Sequence, residues 1–163
     1  MTGLKQVKLV FLLRSLHRGG AERQLVELAK GLDKNAFDIT VALFYDEGDF
    51  GKELNMIPGI KTLPLHKRGR WDLLRFGYRL IRLLQELKPD VLYALLPEPN
   101  IIGLITGRIA RVPRIIWGIR TSNIDVKRYD WTYGKVIRLG AWLSRFPDAI
   151  ICNSHSGLEY QRL

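Results

Sequence analysis

Cysteine and acidic residues are both scarce in this chain. Among 163 residues there is a single cysteine, Cys152, so no internal disulfide can form. This cysteine usage indicates a reducing compartment. The 16 Asp and Glu residues are outnumbered by 26 Lys and Arg, which gives a formal net charge of +10. Such a charge favours anionic partners, among them phosphorylated substrates, lipid head groups and nucleic acid, without selecting one of them.

Long apolar runs are missing as well. No stretch approaches the roughly 20 apolar residues that a membrane span needs, and the first eight residues lack the apolar segment of a secretory signal. We therefore expect a cytoplasmic protein that is at most peripheral to the inner face of a membrane. The 47% of hydrophobic residues is enough for a core, and the length suits one domain.

Strand and helix patterns alternate along the chain with short turns between them. This order predicts an α/β, three-layer, Rossmann-like domain with a mostly parallel sheet of six or seven strands. Strands are predicted at 8–13, 38–44, 60–65, 90–96, 114–119 and 149–152. Helices are predicted at 21–32, 71–87 and 129–146, with a short helix or loop at 48–56 and a helix that opens from a loop at 97–100 and runs to about 110. The chain stops inside a last helical pattern without a stop signal, which predicts a piece of a longer protein.

The glycine pair Gly19-Gly20 joins the first predicted strand to the first predicted helix. A helix start presents unpaired backbone N–H groups and the positive end of the helix dipole, and glycines let a phosphate approach that backbone closely. The pair is therefore a candidate anion site. A tight strand-to-helix turn without a ligand explains the same residues.

Polar residues follow four of the predicted strands. Open parallel sheets bind ligands at the carboxyl ends of their strands, so these side chains are expected to converge on one cleft. The candidate cleft residues are His17 after the first strand, Glu98 and Asn100 after the fourth, Arg120, Ser122 and Asn123 after the fifth, and Asn153 and Ser154 after the last.

The helix predicted at 129–146 carries a stripe of tryptophan and basic residues without any acid. Its members are Trp131, Lys135, Arg138, Trp142 and Arg145. Tryptophan among cations on an outward stripe is typical of a helix that lies on an anionic membrane surface. The alternative is that the tryptophans cover neighbouring loops.

Three segments together resemble the N-terminal domain of a group 1, retaining, GT-B glycosyltransferase. They are "LHRGGAERQLVELAKGL", "PDVLYALLPEPNIIGLITGRIARVPRIIWGIRTSN" and "DAIICNSHSGLEYQRL", and the resemblance runs from residue 8 to residue 163. In that family two Rossmann-like domains face each other across a cleft. The resemblance implies that residues 1–163 are one acceptor-side domain and that the C-terminal domain, which binds most of the nucleotide-sugar, is absent from this chain.

The resemblance also implies roles for single residues. Gly19 and Gly20 match the loop that approaches the donor diphosphate, and Glu22 matches an acidic residue that the helix dipole alone would also favour. Residues 98–100 match a loop beside the acceptor pocket, or they are ordinary turn chemistry before a helix. Where many members carry histidine after the fifth strand, this chain has Arg120, which would anchor a phosphate or anionic acceptor, unless it forms a structural ion pair.

The function expected from these observations is transfer of a sugar from a nucleotide-sugar to an acceptor such as a lipid-linked or cell-envelope glycan. The fragment alone should be inactive, because the family's donor-gripping Lys and paired Glu belong to the absent domain. No metal or other cofactor is implied, since the three histidines lack ligand spacing. The alternative is a stand-alone, non-enzymatic subunit that docks with a separate partner. Nucleic acid is not expected as a partner because no recognition motif is present.

Overall fold

The computed structural model describes residues 5–46, 48–69, 72–119 and 131–152, with the helical backbone alone for 131–133. Six strands and five helices follow one another along these residues. In chain order they are β1 (Val7–Leu13), α1 (Gly20–Gly31), β2 (Phe37–Leu43), α2 (Gly48–Asn55), β3 (Ile60–Pro64), α3 (Leu73–Leu87), β4 (Val91–Leu95), α4 (Pro97–Ile109), β5 (Arg114–Ile119), α5 (Trp131–Leu143) and β6 (Ala149–Cys152).

The strands form one sheet in the order β3-β2-β1-β4-β5-β6, and every pair of neighbours is parallel. The chain winds outward from β1 in one direction and from β4 in the other. The topological switch point of the sheet therefore lies between β1 and β4, which is where open sheets of this type bind ligands.

Two layers of apolar side chains hold the helices on the sheet, because successive residues of a strand point to opposite faces. From β1, Leu9, Phe11 and Leu13 pack in the cluster that includes α1 and α2. Val10 and Leu12 pack in the cluster that includes α3 and α4, with Leu143 of α5 against it. Residues 9–13 of β1, all apolar and buried, are thus covered on both faces, as parallel sheets require.

The structure confirms the predicted fold class, and it refines two of the predicted elements. Residues 48–56, expected as a short helix or a loop, are mostly the helix α2. Residues 97–100, expected as a loop, are the first turn of α4, with Pro97 at its start. Proline fits there because the first helical residue has no intrahelical partner for its N–H.

Candidate functional site

Helix α1 begins at the glycine pair with open space beside it. Gly19 is the N-cap residue with φ −159° and ψ 162°, and no side chain caps the helix there. Gly20, the first helical residue, is exposed, and a Cβ built on it would have no heavy atom within 4 Å. The first-turn N–H groups, which have no partner within the helix, therefore adjoin accessible space at the positive end of the dipole.

Glu22 folds back onto the start of its own helix. A Cβ built on Gly19 would overlap the Glu22 carboxylate. Glu22 is the third residue of α1, the position from which a carboxylate reaches back to the N-cap in a capping box. The side chain of Glu22 thus occupies the Gly19 side of the junction, while the Gly20 side stays open.

An open depression of about 470 Å³ lies at the carboxyl ends of β1, β2 and β4. It is lined by Arg14, Ser15, His17, Glu22, Tyr45, Asp46 and Leu96. Because β1 and β4 flank the switch point and all three strands are parallel, the depression and the start of α1 belong to the same edge of the sheet.

Arg14 joins the two sides of the switch point. It follows β1, and its Nη1 lies 3.1 Å from Oε2 of Glu98, which follows β4. The Arg14 guanidinium also lies 5.7 Å from the centre of the Tyr45 ring, and the Lys67 ammonium lies at 5.7 Å from the same ring. Two cations therefore flank an aromatic side chain at the end of β2, within cation–π range.

The loop that carries Lys67 is tied down by Asp72. Its carboxylate accepts hydrogen bonds from the Arg68 backbone N–H at 2.9 Å and from Arg79 Nη2 at 2.7 Å, and its side chain is only 9% exposed. The Arg68 N–H, with the Arg79 guanidinium, holds the pKa of Asp72 below its ordinary value, against the opposing effect of burial. Asp72 is therefore an ionised anchor for the loop that reaches Tyr45.

His17 is paired with an acid across the depression. Its Nε2 lies 3.1 Å from Oδ1 of Asp46, and both side chains are exposed. Gly48 holds the loop that carries His17: its φ is +58°, and a Cβ there would lie 2.6 Å from the His17 backbone nitrogen and from the Leu16 carbonyl carbon. Only glycine combines that conformation with such a close backbone approach.

Leu96 makes the turn from β4 into α4 in a strained conformation. Its φ is 78° and its ψ is 156°, a backbone conformation that residues other than glycine rarely adopt. Its N–H donates to the Gly118 carbonyl at 3.3 Å, and its carbonyl accepts from the Asn100 N–H at 3.0 Å. These bonds hold the side chain of Leu96 at the depression.

Asn100 lies below the surface of the cleft and does not line the depression. It is 4% exposed, and its Nδ2 donates to the Gly118 carbonyl at 3.3 Å, which ties α4 to β5. Its Oδ1 is buried without a hydrogen-bond partner. The structure therefore gives Asn100 a position under the cleft, whereas Glu98 of the same turn reaches the surface.

Several predicted cleft residues lie outside the described ranges. They are Arg120, Ser122, Asn123, Asn153 and Ser154, and their roles stay predictions. Of the predicted set, His17 and Glu98 are brought to the same edge as Gly19 and Gly20.

The predicted stripe on α5 is exposed where its side chains are described. Lys135, Arg138, Trp142 and Arg145 all lie at the surface, and the facing Val136 and Ile137 are half-buried. The side chain of Trp131 lies outside the description. No helix in the described part of the chain combines the length and apolar character needed to cross a membrane.

Sequence reasoning missed Arg14, Tyr45, Asp46 and Lys67. Two of them follow β2, a strand whose carboxyl end was left out of the predicted cleft although the same rule applies to it. Arg14 is the first residue after β1, and only the structure pairs it with Glu98. Lys67 lies in the loop after β3, and a hydrophobic pattern in the sequence does not predict the path of a loop.

A parallel sheet of this order, with a glycine-started helix at the switch point, defines a Rossmann-like domain of the kind that forms one half of a GT-B fold. Residues 18–162 match the sequence family described as Glycosyltransferase Family 4. The chain belongs to this glycosyltransferase family. A comparison with curated proteins found no significant match.

Solved structures share the fold over nearly the whole chain. HepE from Anabaena, in complex with UDP and glucose, is 24% identical with a TM-score of 0.72, covering 96% of this chain and 41% of its own. MurG from Acinetobacter baumannii is 14% identical with a TM-score of 0.58, covering 90% of this chain and 41% of its own. UDP-N-acetylglucosamine 2-epimerase from Rickettsia bellii is 11% identical with a TM-score of 0.64, covering 97% of this chain and 42% of its own.

The chain therefore spans about two fifths of the length of the structures it resembles. At these identities the likeness establishes the fold alone, and one of the structures that share it is an epimerase. The family match is what assigns the chain to the glycosyltransferases.

Proposed function

We propose that this domain is the acceptor side of a two-domain glycosyltransferase that moves a sugar from a nucleotide-sugar to a glycan or lipid-linked acceptor. The observation that supports it most is the open start of α1 at Gly20, beside a depression at the switch point. In a family of sugar transferases, that pairing suits a donor phosphate next to an acceptor.

The donor phosphate approaches on the Gly20 side of the junction. A phosphate there would accept hydrogen bonds from first-turn N–H groups and gain from the helix dipole. The Gly19 side is disfavoured because the Glu22 carboxylate lies against it, and like charges repel. The exposed Arg18 guanidinium lies next to the junction and is paired with Asp49 at 3.4 Å, an exposed ion pair that a phosphate could displace at little cost. HepE was solved with UDP, which makes UDP a suitable first probe.

The acceptor occupies the depression beside Tyr45. Sugar hydroxyls donate and accept hydrogen bonds, so they suit a lining that offers the carboxylate of Asp46 and the guanidinium of Arg14, which is paired with Glu98. The half-buried Tyr45 ring supplies an apolar surface for a sugar face. The role of this domain in transfer is then positioning: it holds the acceptor hydroxyl near the donor carbon.

During transfer the bond between the anomeric carbon and the phosphate oxygen breaks, the acceptor oxygen bonds to that carbon in its place, and the proton of the acceptor hydroxyl passes to the departing nucleotide diphosphate. The helix start at Gly20 would stabilise negative charge that develops on the departing phosphate. Most donor contacts come from a second domain, and Arg120 anchors a phosphate or an anionic acceptor. Retention of configuration and the lack of a metal cofactor are parts of the same proposal, and the first is tested by the anomeric configuration of the product.

A matched pair of glycine variants tests the donor site. Gly20 and Gly31 begin and end the same helix, and a Cβ at either meets no heavy atom within 4 Å. We expect UDP, titrated into the ¹⁵N-labelled chain, to shift amide signals at residues 19–23. Binding to Gly20→Val should be at least about tenfold weaker, because a side chain blocks the backbone, and binding to Gly31→Val should be unchanged.

Equal UDP binding by both variants would contradict the phosphate site and favour a simple tight turn. If the chain copurifies with a separate transferase subunit and does not bind nucleotide itself, the alternative of a stand-alone docking subunit would be favoured. Both variants should melt close to the unmodified chain, since valine is no worse than glycine in a helix.

A further inference from the structure

A groove of about 620 Å³ lies at the edge of the sheet opposite the depression. It is formed where α3 and α4 end and where β4 and β5 begin, so it adjoins the amino ends of these strands. Its lining includes Lys88, Pro89, Asp90, Ile109, Arg111 and Pro113. Its volume falls within the range of ligand-binding clefts, and we call it the α3–α4 groove.

Each of the two helices is followed by a basic residue with a positive φ. Lys88, the C-cap of α3, has φ 47° and ψ 60°, and Arg111, just after α4, has φ 60°. Helices commonly end in a left-handed residue, and glycine usually supplies it because a Cβ strains that conformation. A lysine and an arginine therefore stand where glycine would be less strained, which points to a role for their side chains.

The basic side chains at the groove are not engaged within the domain. Lys88, Arg111 and the neighbouring Arg114 are exposed, and none of these three side chains has an ion pair or a hydrogen bond with another described residue. Asp90 is the acid among the lining residues, and its carboxylate already accepts the Lys8 backbone N–H at 2.9 Å. Three cations are therefore available to a ligand at this edge.

Two further acids of the neighbouring segments are paired with other cations. Glu86, near the end of α3, lies 3.9 Å from Arg82. Asp148 lies 3.4 Å from Arg108 and accepts the Ile115 N–H at 2.8 Å. The positive charge at the groove is therefore not offset by these acids.

Apolar side chains and backbone carbonyls complete the groove. Ile109 is 56% exposed, and Pro113 is exposed beside it in the lining. Pro89 and Pro113 have no N–H, so they cannot donate to the carbonyls of Gln85 and Ile109, four residues earlier. The ends of α3 and α4 also carry the negative ends of the helix dipoles. The groove thus offers apolar contacts and hydrogen-bond acceptors together with exposed cations.

We propose that the α3–α4 groove binds an acidic segment of a partner protein that also carries an apolar side chain. Carboxylates of the segment pair with Lys88, Arg111 and Arg114, and its apolar side chain packs against Ile109. Backbone N–H groups of the segment donate to carbonyls at the two helix ends. The net charge of +10 steers such a segment toward the domain.

Charge complementarity selects this partner over other anions. A compact phosphate lacks hydrogen-bond donors for the carbonyls, and the negative ends of two helix dipoles repel it. Carboxylates on flexible side chains reach the exposed cations without entering the helix ends. Nucleic acid is disfavoured because none of the lining residues is aromatic, so its bases would have no ring to stack on.

Fluorescence anisotropy with a labelled peptide of repeated Glu-Glu-Leu tests the proposal. We expect this peptide to bind the chain, to bind more weakly as the salt concentration rises, and to shift amide signals within residues 84–90 and 109–114 of the ¹⁵N-labelled chain. Gln-Gln-Leu and Glu-Glu-Ser peptides of the same length should bind at least about tenfold more weakly, because the first lacks the charge and the second lacks the apolar side chain.

Glycine variants separate binding from a purely structural role. Lys88→Gly and Arg111→Gly remove the side chain and suit the positive φ, so both variants should melt close to the unmodified chain. Each should bind the Glu-Glu-Leu peptide about fivefold more weakly, and Ile109→Ser should have an effect of the same size. Peptide binding that is unchanged in both glycine variants would show that the two cations only end the helices, and the proposal would fail.

Two controls lie away from the groove, on and after α2. Lys52 is exposed on α2, and Met56, which follows it, is 82% exposed. Met56→Ser should bind the peptide as the unmodified chain does, and Lys52→Gln should bind nearly as well. If the controls lose as much binding as the groove variants, the attraction is due to overall charge and the proposal is wrong.

Other occupants would give different results, each of which overturns the proposal. The same amide shifts with inorganic phosphate alone would assign the groove to a small anion. Tighter binding of single-stranded DNA, at the same amides, would assign it to nucleic acid. A dimer in sedimentation that Arg111→Gly dissociates would assign it to a second copy of the chain.

The proposal is independent of the proposed transfer reaction, because the groove and the depression lie at opposite edges of the sheet. The Glu-Glu-Leu peptide and UDP should therefore bind the chain at the same time. A chain that binds the peptide at the groove but does not bind UDP would contradict the donor site alone. Displacement of the peptide by UDP would place both ligands at one site and contradict the groove.

Discussion

Arg14 and Glu98 form an ion pair that bridges the switch point of the sheet, with Nη1 and Oε2 3.1 Å apart. One residue follows β1 and the other lies in the first turn of α4, so the pair links the two parallel strands from which the chain winds toward opposite edges of the sheet. Both side chains are partly exposed, which makes the pair exchangeable: the guanidinium can leave Glu98 for a ligand group at little cost.

We expect the coupling between Arg14 and Glu98 to be weak. In a double-mutant cycle with Arg14→Gln and Glu98→Gln, measured by urea unfolding, the pair should contribute about 0.2–1 kcal/mol, as exposed pairs do. The coupling should also shrink in 0.5 M NaCl. A coupling above about 2 kcal/mol would instead make the pair a structural brace, unavailable to an acceptor.

Stability should depend on the ionisation of Asp72. The Arg68 backbone N–H and the Arg79 guanidinium lower the pKa of Asp72 in the folded state. A lowered folded-state pKa means that the unfolded chain binds more protons, so this stabilisation is complete above the unfolded value near 4 and is lost as the pH falls through the folded-state value.

Thermal melting of Asp72→Asn therefore has a defined pH profile. The variant should melt below the unmodified chain at pH 7, and the difference should narrow steadily from about pH 4 downward. Asp49→Asn, at an exposed acid paired with Arg18, is the control and should change little. A difference between Asp72→Asn and the unmodified chain that stays constant from pH 2 to 7 would show that the side chain acts through its shape and not its charge.

Much of the fold was predictable because the strands are short apolar runs, of which β1, β2 and β4 are largely buried. The predicted strand at 114–119 and that at 149–152 agree with β5 and β6 residue for residue. The start of α4 was not predictable from a Pro-rich turn, since Leu96 completes it with a positive φ that leucine rarely adopts. That conformation is imposed by tertiary contacts, which no local propensity describes.

The site was predictable only in outline. The rule of strand ends located His17 and Glu98, but it also placed Asn100 in the cleft, and the structure buries this side chain under the cleft. Arg14 and Lys67 are brought to the Tyr45 ring by pairing across the sheet and by the Asp72-anchored loop. Such contacts depend on the three-dimensional arrangement of separate segments.

Close packing of α4 on the sheet should make Gly107 intolerant of substitution. A Cβ there would lie 2.9 Å from Cδ1 of Ile115 and 3.0 Å from Cδ2 of Leu92, and both side chains are fully buried. We expect Gly107→Ala to lower the free energy of unfolding by about 1–3 kcal/mol, because neither neighbour has space to move into.

Gly77 of α3 provides the matched control for Gly107. A Cβ on Gly77 meets no heavy atom within 4 Å, so Gly77→Ala should stabilise the chain by about 0.5–1 kcal/mol through helix propensity alone. Urea unfolding of both variants measures the two effects with opposite signs. A stabilised Gly107→Ala would show that α4 sits farther from the sheet than described.

Residues 1–163 alone should not transfer sugar. We expect a second domain to make most of the contacts that stabilise the donor in the transition state. Without those contacts the activation barrier for sugar transfer is not lowered. UDP release and mass spectrometry of acceptor products, with several UDP-sugars, should give the background rate. Turnover above that background by the purified chain would refute the two-domain assignment.

The loop that carries His17 should be unusually sensitive to Gly48. Gly48 and Gly69 both have a positive φ, at +58° and +68°, but they differ in surroundings. A Cβ on Gly48 would lie 2.6 Å from the His17 backbone nitrogen, whereas a Cβ on Gly69 meets no heavy atom within 4 Å. Alanine at the two positions therefore separates the free-energy cost of the positive φ from the additional cost of the steric overlap.

Gly69→Ala should cost about 1–2 kcal/mol, the usual penalty for a left-handed residue with a Cβ. Gly48→Ala should cost clearly more, because the backbone of residues 16–17 has to move. That movement should also change the amide signals of His17 and weaken UDP binding at the start of α1, an effect that Gly69→Ala should not have. Equal losses of stability, with the His17 signals unchanged in both variants, would mean that the loop yields easily and that Gly48 does not position it.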